Sequence, residues 1–341
     1  MKVIVFSTKK YDIQYLDQAN EEASHEITYI ESRLSEETVR LAEGFDIACI
    51  FVNDVANKAV IKGLKDCGVG VIALRCAGFN NVDLDAAEEY GVCVVRVPAY
   101  SPYAVAEHAI ALMMVLDRKI HRAHNRVREG NFTLQGLAGF DMHGKTAGII
   151  GTGKIGQLTA RILKCGFGCE VIAYDIHKNQ ELLDIGVEYK PLDELLNRSD
   201  IISLHCPLTP ETYHIIDSDS ISKMKQGAML INTSRGGLID AAAVIEGLKT
   251  GRIGYLGLDV YEEEEYLFFE DLSNEVIHDD VFARLMTLPN VIITSHQAYF
   301  TKEALSNIAQ TTIENITHIE NRGCCKNAVL CERVKGKSKK N

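Results

Sequence analysis

The chain lacks any apolar run long enough to cross a bilayer. Ala109–Leu116, the longest, is eight residues, whereas a spanning helix needs about 20. Its opening, MKVIVFSTKKYD, is apolar only from Val3 to Phe6 before Lys9 and Lys10, so no secretory leader is predicted. It also lacks a Cys-x-x-Cys pair. The ten cysteines are scattered, with Cys324 and Cys325 adjacent near the end, which argues against a disulfide framework and for free thiols in a reducing cytoplasm. Sequons such as Asn131-Phe-Thr133 would then carry no glycan. A net positive charge is missing too. With 47 Asp and Glu against 36 Lys and Arg, the net charge is −11, and nucleic acid or an anionic membrane would repel the chain. A small acidic molecule is not excluded, because it responds to a few aimed cations. Finally, no histidine, cysteine and carboxylate spacing suits a metal ion, and none is expected.

What the chain does have is alternation. Its 341 residues suffice for two domains. Short β-branched runs are predicted as strands at Val3–Ser7, Ile47–Val52, Val71–Arg75 and Val92–Val97, with helices at Asp54–Asp66 and Asp83–Tyr90, the latter ended by Gly91. Apolar strands separated by helices predict a parallel sheet covered on its faces. The turn-rich join Pro98–Pro102 follows, with Ser101 as a cap and Pro102 at the first position of a long helix over Tyr103–Val127. A second alternation starts at Lys145, with strands at Thr146–Ile150, Cys169–Tyr174, Ile201–Leu204, Ala228–Asn232, Tyr255–Val260 and Val291–Ile293. A last helix, Lys302–Asn321, is expected to return to the first domain. The basic end, Arg333–Asn341, has no apolar pattern and reads as a disordered tail.

Gly151-Thr-Gly-Lys-Ile-Gly156 matches G-x-G-x-x-G. The match follows a predicted strand and opens the helix Lys154–Lys164. The next strand ends in Asp175, 19 residues beyond Gly156. That context marks a dinucleotide site. Gly151 permits the tight turn, Gly153 lets the backbone approach a pyrophosphate, and Gly156 lets helix and strand pack closely. Free N–H groups at the helix start face the phosphates. Asp175 would accept hydrogen bonds from the adenosine ribose and repel a 2′-phosphate, so NAD is expected rather than NADP.

With these motifs in place the chain resembles the D-isomer-specific 2-hydroxyacid dehydrogenases, and among them the branch that interconverts D-lactate and pyruvate. The resemblance covers about Met1 to Leu330. It is carried by Arg75-Cys-Ala-Gly-Phe-Asn-Asn81, the glycine loop, His205-Cys-Pro-Leu-Thr209, Asn232-Thr-Ser-Arg-Gly236, Gly257-Leu-Asp-Val-Tyr-Glu262 and Ser295-His-Gln-Ala298. It implies two doubly wound α/β domains with a cleft between them. One is a flavodoxin-like substrate domain of residues 1–100 and 299–331, and the other a Rossmann-type NAD-binding domain of residues 101–298. It implies a homodimer formed through the second domain.

By the same resemblance the catalytic set is Arg235, Glu264 and His296. Arg235 would grip the substrate carboxylate, His296 would move the proton, and Glu264 would partner the histidine. A shift by one along Glu262–Glu265 would still land on a glutamate. The reaction needs these residue types. A histidine can donate a proton near neutral pH, a carboxylate fixes its tautomer, and a guanidinium offers a planar fork. Seen singly, each has a plainer reading: one of 11 histidines, a surface arginine, a solvated acidic run. The resemblance further places Ile155, Gly156, Asp175, Cys206, Pro207, Thr212, Thr233, Ser234 and Asp259 at the cofactor, with Arg235 touching both ligands. Thr212 stands where relatives often carry Asn. Ala77 and Gly78 would present N–H groups to the substrate carboxylate. Tyr100 and Tyr299 would wall the pocket, and Phe51 would limit substrate size. The adjacent His205 and Cys206 invite a nucleophile, but hydride transfer needs no covalent intermediate. Two alternatives stay open: a relative acting on glycerate, phosphoglycerate or branched-chain hydroxy acids, and a NAD-sensing binding protein.

Overall fold

The computed structural model describes residues 1–323 and 325–329; the tail expected at Arg333–Asn341 lies outside them. The chain divides into two units, one of Met1–Ser101 with the chain from Phe300 onward, the other Pro102–Tyr299. Both crossings thus fall one residue later than expected, so that Ser101 belongs to the first unit and Tyr299 to the second.

The first unit is built on a five-stranded sheet of β1 (Lys2–Val5), β2 (Glu26–Tyr29), β3 (Ile47–Ile50), β4 (Val71–Leu74) and β5 (Cys93–Val95), in the order β2-β1-β3-β4-β5. Every pairing is parallel, which is the flavodoxin-like order. Strand residues alternate between two cores, as the period of two requires. After α1 (Lys10–Asn20), the helix α2 (Lys58–Asp66) sets Ile61 and Leu64 with Ile4, Ile50 and Ile72 on one face. Val3, Val5, Ile47 and Ala73 join Ile313 and Ile316 of the final helix, Lys302–Arg322, on the other. Helix starts are set by side-chain caps: Asn57 accepts from Val60 N–H at 2.9 Å, Asp83 from Ala86 N–H at 2.9 Å, and Thr301 from Ala304 N–H at 3.2 Å. Asp83 opens α3 (Leu84–Tyr90), and Gly91 ends it at φ 64°.

The second unit carries a seven-stranded sheet. Its strands are β6 (Thr146–Ile150), β7 (Glu170–Tyr174), β8 (Glu188–Tyr189), β9 (Ile201–Leu204), β10 (Ala228–Asn232), β11 (Ile253–Leu258) and β12 (Val291–Ile293), ordered β12-β11-β10-β9-β6-β7-β8. All pairings are parallel. This is the Rossmann order with a seventh strand, and the order reverses between β6 and β9, where such sheets bind ligands.

Several local expectations are corrected. The helix expected over Asp54–Asp66 starts only at Lys58, where Asn57 caps it. The single helix expected over Tyr103–Val127 is two, α4 (Pro102–Arg118) and α5 (Ile120–Arg128), because Lys119 takes a left-handed conformation at φ 49°. The helix expected over Lys154–Lys164 is α6 (Lys154–Arg161), followed by a wider π-type turn, Ile162–Gly166. The edge strands β2 and β8 were not anticipated. Glu26–Tyr29 alternates exposed and half-buried residues and β8 has two residues, so neither shows an apolar run.

Ile72 is fully buried at the centre of β4, whereas Leu41 is half exposed. Ile72→Ala is expected to lower stability by about 2–5 kcal/mol, and Leu41→Ala by less than about 0.5 kcal/mol. Urea denaturation midpoints check both.

Candidate active site

The glycine loop turns where β6 and β9 part. Gly151 has φ 93°, and a Cβ there would lie 2.4 Å from the Cys206 nitrogen, so the two strand ends meet with no room for a side chain. A Cβ on Gly156 would lie 2.0 Å from the Gly151 carbonyl oxygen, which fixes α6 tightly against the loop. A Cβ on Gly153 would stand in open space. Gly153 is also the N-cap of α6 and makes no side-chain cap, so the first N–H groups of α6 stay available to an anion. At the end of β10 the Thr233 hydroxyl is buried and has no hydrogen-bond partner among the described residues. A tight turn, a bare helix start and an orphaned donor fit a bound dinucleotide.

Asp175 follows β7. Its Oδ2 accepts from Thr152 N–H at 2.5 Å and Thr152 Oγ1 at 3.1 Å, and its Oδ1 from His177 N–H at 2.9 Å. Burial alone would raise its pKa. The His177 and Thr152 donors outweigh burial and hold the carboxyl below its usual range, so it is ionised at neutral pH.

Cys206 and His205 are not a nucleophile and its base. Burial pushes the Cys206 thiol up to about 11, with the Asp175 charge adding to it, and burial pushes His205 down to about 4. At neutral pH one is a thiol and the other a neutral ring, whose Nε2 lies 2.9 Å from Ser203 Oγ.

Arg235, Glu264 and His296 follow the neighbouring strands β10, β11 and β12. Glu264 Oε1 lies 2.7 Å from His296 Nδ1, while Glu264 Oε2 accepts from Tyr261 N–H at 2.9 Å. Both oxygens are therefore fixed. Of the rest of the acidic run, Glu262 lies 3.0 Å from His214 Nε2, and Glu263 and Glu265 are exposed. With Nδ1 held, His296 Nε2 has no hydrogen-bond partner among the described residues. His296 sits at φ 51°, a backbone conformation that a histidine seldom adopts. Arg235 has no carboxylate partner among the described residues, and its Nη1 donates to the Ser234 carbonyl at 2.7 Å. Its turn is pressed against the segment that carries Glu264, because a Cβ on Gly236 would lie 2.1 Å from the Tyr261 carbonyl carbon. Sequence reasoning singled out neither Gly236 nor the Tyr261 N–H. The first was legible inside Asn232-Thr-Ser-Arg-Gly236 as a glycine after a strand end. The second, a backbone donor, has no residue-type signal.

Other expected residues take more structural places. Thr212 Oγ1 donates to the Pro207 carbonyl at 2.7 Å and accepts from Thr209 N–H at 2.8 Å, so it shapes the turn after β9. Ser234 Oγ donates to the Cys206 carbonyl at 2.7 Å and ties β10 to β9. Ile155 lies in the first turn of α6. Asp259 is fully buried, its carboxylate accepting from Gln297 and Ala298 N–H, both at 2.8 Å. Tyr299 is buried. In the first unit the Ala77 carbonyl accepts from Arg96 Nη1 at 3.0 Å and the Gly78 carbonyl from Cys76 Sγ at 3.2 Å. The Ala77 and Gly78 N–H groups have no partner among the described residues. The Phe51 carbonyl accepts from Asn81 Nδ2 at 2.9 Å, and Tyr100 is half-buried, its carbonyl accepting from Asn307 Nδ2 at 2.7 Å.

Residues 110–298 match the family model of the D-isomer specific 2-hydroxyacid dehydrogenase, NAD binding domain. The chain is 55% identical over 330 residues to the D-lactate dehydrogenase of Escherichia coli, covering 97% of this chain and 100% of that one. The apo-structure of D-lactate dehydrogenase from Escherichia coli superposes with a TM-score of 0.88 at 52% identity, over 96% of this chain and 100% of that one. A structure of the pyruvate reductase of Chlamydomonas reinhardtii gives a TM-score of 0.89 at 50% identity, over 93% and 96%.

An ionised Asp175 at the end of β7 repels a 2′-phosphate. The wild type is expected to use NADH far better than NADPH, and Asp175→Ala to narrow that gap by about tenfold or more, since about 1.4 kcal/mol corresponds to a factor of ten. Steady-state kinetics with both cofactors check this, and equal efficiency in the wild type would remove the role given to Asp175.

Proposed function

The chain belongs to the D-isomer-specific 2-hydroxyacid dehydrogenases, and we propose that it interconverts pyruvate and D-lactate with NAD as cofactor. The observation that carries the mechanism is the 2.7 Å contact between Glu264 Oε1 and His296 Nδ1, at a sheet edge shared with an uncommitted arginine.

NADH, when bound, would supply the hydride for C2 of pyruvate. The chain supplies the rest. Arg235 has a planar, always charged fork for the substrate carboxylate and polarises the keto oxygen. His296 Nε2 donates the proton that the keto oxygen takes up as the hydroxyl forms. Glu264 holds the ring by Nδ1 and offsets the positive charge that it carries before donation. In the reverse direction the neutral ring accepts the proton from the lactate hydroxyl. The loop start of α6 and Thr233 serve the dinucleotide. In the first unit, which we assign to the substrate, the N–H groups of Ala77 and Gly78, without a partner among the described residues, suit a carboxylate. In that unit Phe51 and Tyr100 are also assigned to the substrate.

No helix among the described residues is long and apolar enough to cross a membrane. We place the enzyme in the cytoplasm, where its buried thiols at Cys49, Cys67 and Cys169 stay reduced. We assign it a homodimer through the second unit. The supporting observation is α5, which buries none of its residues. Ile120 and Val127 are 53% and 54% exposed there, with Phe132 and Leu134 at 74% and 80% just beyond. An apolar face of that kind suits a second copy. Replacing Val127 and Leu134 together with Asp is expected to yield monomers in sedimentation velocity, where the wild type sediments as a dimer. A monomeric wild type would remove the assignment.

His296→Ala is expected to lower turnover about 10²–10⁴-fold while leaving NADH binding intact. Arg235→Lys should mainly raise the pyruvate KM, because an ammonium cannot form the two-pronged contact. At neutral pH, Glu264→Gln should depress pyruvate reduction more than lactate oxidation, because only reduction starts from the charged ring. Glu262→Gln should leave that ratio alone. Rates in both directions, with chiral analysis of the lactate formed, check the set. A variant series in which Glu262, and not Glu264, moves the ratio would overturn the pairing.

A further inference from the structure

We propose that His108, on α4, is a positioning residue for His296, acting through Thr294 and Asp259. The inference rests on His296 being the proton donor proposed above.

Three links connect them. The turn His296–Ala298 is wrapped around Asp259. The Asp259 carbonyl accepts from His296 N–H at 2.7 Å, its Oδ1 from Gln297 N–H at 2.8 Å and its Oδ2 from Ala298 N–H at 2.8 Å. These bonds hold His296 in its left-handed conformation, φ 51°, which the chain would otherwise leave. The second link is Thr294, whose Oγ1 lies 2.6 Å from Asp259 Oδ1. A carboxylate only accepts, so the hydroxyl hydrogen points at Asp259. The third link is His108, whose Nε2 lies 3.1 Å from Thr294 Oγ1 and 3.5 Å from Asp259 Oδ1. With its one hydrogen spent on Asp259, the Thr294 oxygen can only accept from His108, which places a hydrogen on Nε2.

The chemistry of this corner agrees. Burial pushes the His108 pKa down, against the pull of Asp259, so the ring at neutral pH is uncharged and holds a single N–H to give. Asp259 is fully buried, and a buried carboxylate is stable only when its oxygens are met by donors. His108 thus anchors, from the first helix of this unit, the side chain around which the His296 turn is built. Remove its N–H and the Thr294 hydroxyl loses its donor. The turn can then relax toward an ordinary backbone conformation, carrying the imidazole off its proton-transfer line. Such a displacement harms turnover and not cofactor affinity.

The test compares wild type, His108→Leu, His108→Gln, Thr294→Val and the His108→Leu/Thr294→Val double variant. Each is assayed on whichever 2-keto acid of a panel the wild type reduces fastest, so a wrong substrate or failed function reading shows first in the wild type alone. His108→Leu and Thr294→Val should each lower kcat by between about 10-fold and 100-fold, with NADH Kd, from fluorescence titration, changed less than about twofold. Glutamine places an amide N–H where Nε2 stands, so His108→Gln should recover kcat to within about threefold of wild type. The double variant should be no slower than the slower single one, because both break one chain of bonds. Wild-type kcat in His108→Leu, equal losses in kcat and NADH affinity, failure of His108→Gln to recover, or multiplicative losses in the double variant would each overturn the proposal. Melting temperatures identify any variant that fails to fold, in which case the His108→Gln and Thr294→Val pair decides.

Discussion

The contact between Glu264 and His296 can exist only because β11 and β12 are neighbours and run the same way. In a parallel sheet every strand ends at the same edge, so the loops after adjacent strands face one another. Three strands, β10, β11 and β12, then offer an arginine, a carboxylate and an imidazole from segments far apart in sequence. Nothing in these loops has to fold alone. The sheet sets the spacing, and each loop supplies one group. This is why a carboxylate can fix one nitrogen of a ring whose other nitrogen stays free, which is the arrangement a proton donor requires.

Close backbone approach is the second constraint on that edge, and between one strand end and the next glycine meets it at two places. Gly151 lies against the Cys206 peptide, and Gly236 lies against the Tyr261–Glu262 peptide. In each case a Cβ has no room, so the loop before it must lie flat on the next one. The first approach opens the dinucleotide turn where the strand order reverses. The second presses the Arg235 turn against the acidic segment. A methyl group at either glycine would have to push apart two strand ends, and the functional groups on them would move with the backbone.

How much of this was legible in the sequence follows from the same physics. Central strands such as β3 and β4 are buried on both faces and read as continuous apolar runs, so they were found to within a residue or two. The edge strand β2 is half wet and carries Glu26 and Thr28, so it left no such trace. The break between α4 and α5 was invisible because Lys119 is an ordinary helix former, and only its left-handed conformation stops the helix. The glycine loop and the acid at Asp175 were legible because each has a residue-type requirement. The choice of Glu264 within Glu262–Glu265 was carried by resemblance, since the run offers four equivalent carboxylates. Only the fold assigns them, and it does so through His296 and His214. His108 was illegible for a different reason. It sits in an apolar helix, Pro102–Arg118, and its partner Thr294 follows it by 186 residues, so no local pattern links them.

The chain's charge poses a last question, because a protein at −11 has to attract a dinucleotide and a carboxylate. The answer lies in where the acidic groups are spent. Glu262 is set against His214 and Glu264 against His296, while Asp259 is buried among donors. Two glutamates of the run beside the site are therefore held against ring nitrogens, while Glu263 and Glu265 are exposed to solvent, which screens them. Arg235 is the opposite case, a guanidinium with no carboxylate partner among the described residues. The start of α6, capped by a glycine, adds partial positive charge from its uncapped N–H groups. A small anion near the sheet edge feels these nearby groups far more than the distant surface charges, which salt screens within about 8 Å at physiological ionic strength. Net acidity and anion binding coexist because one is a property of the surface and the other of a few unmatched donors.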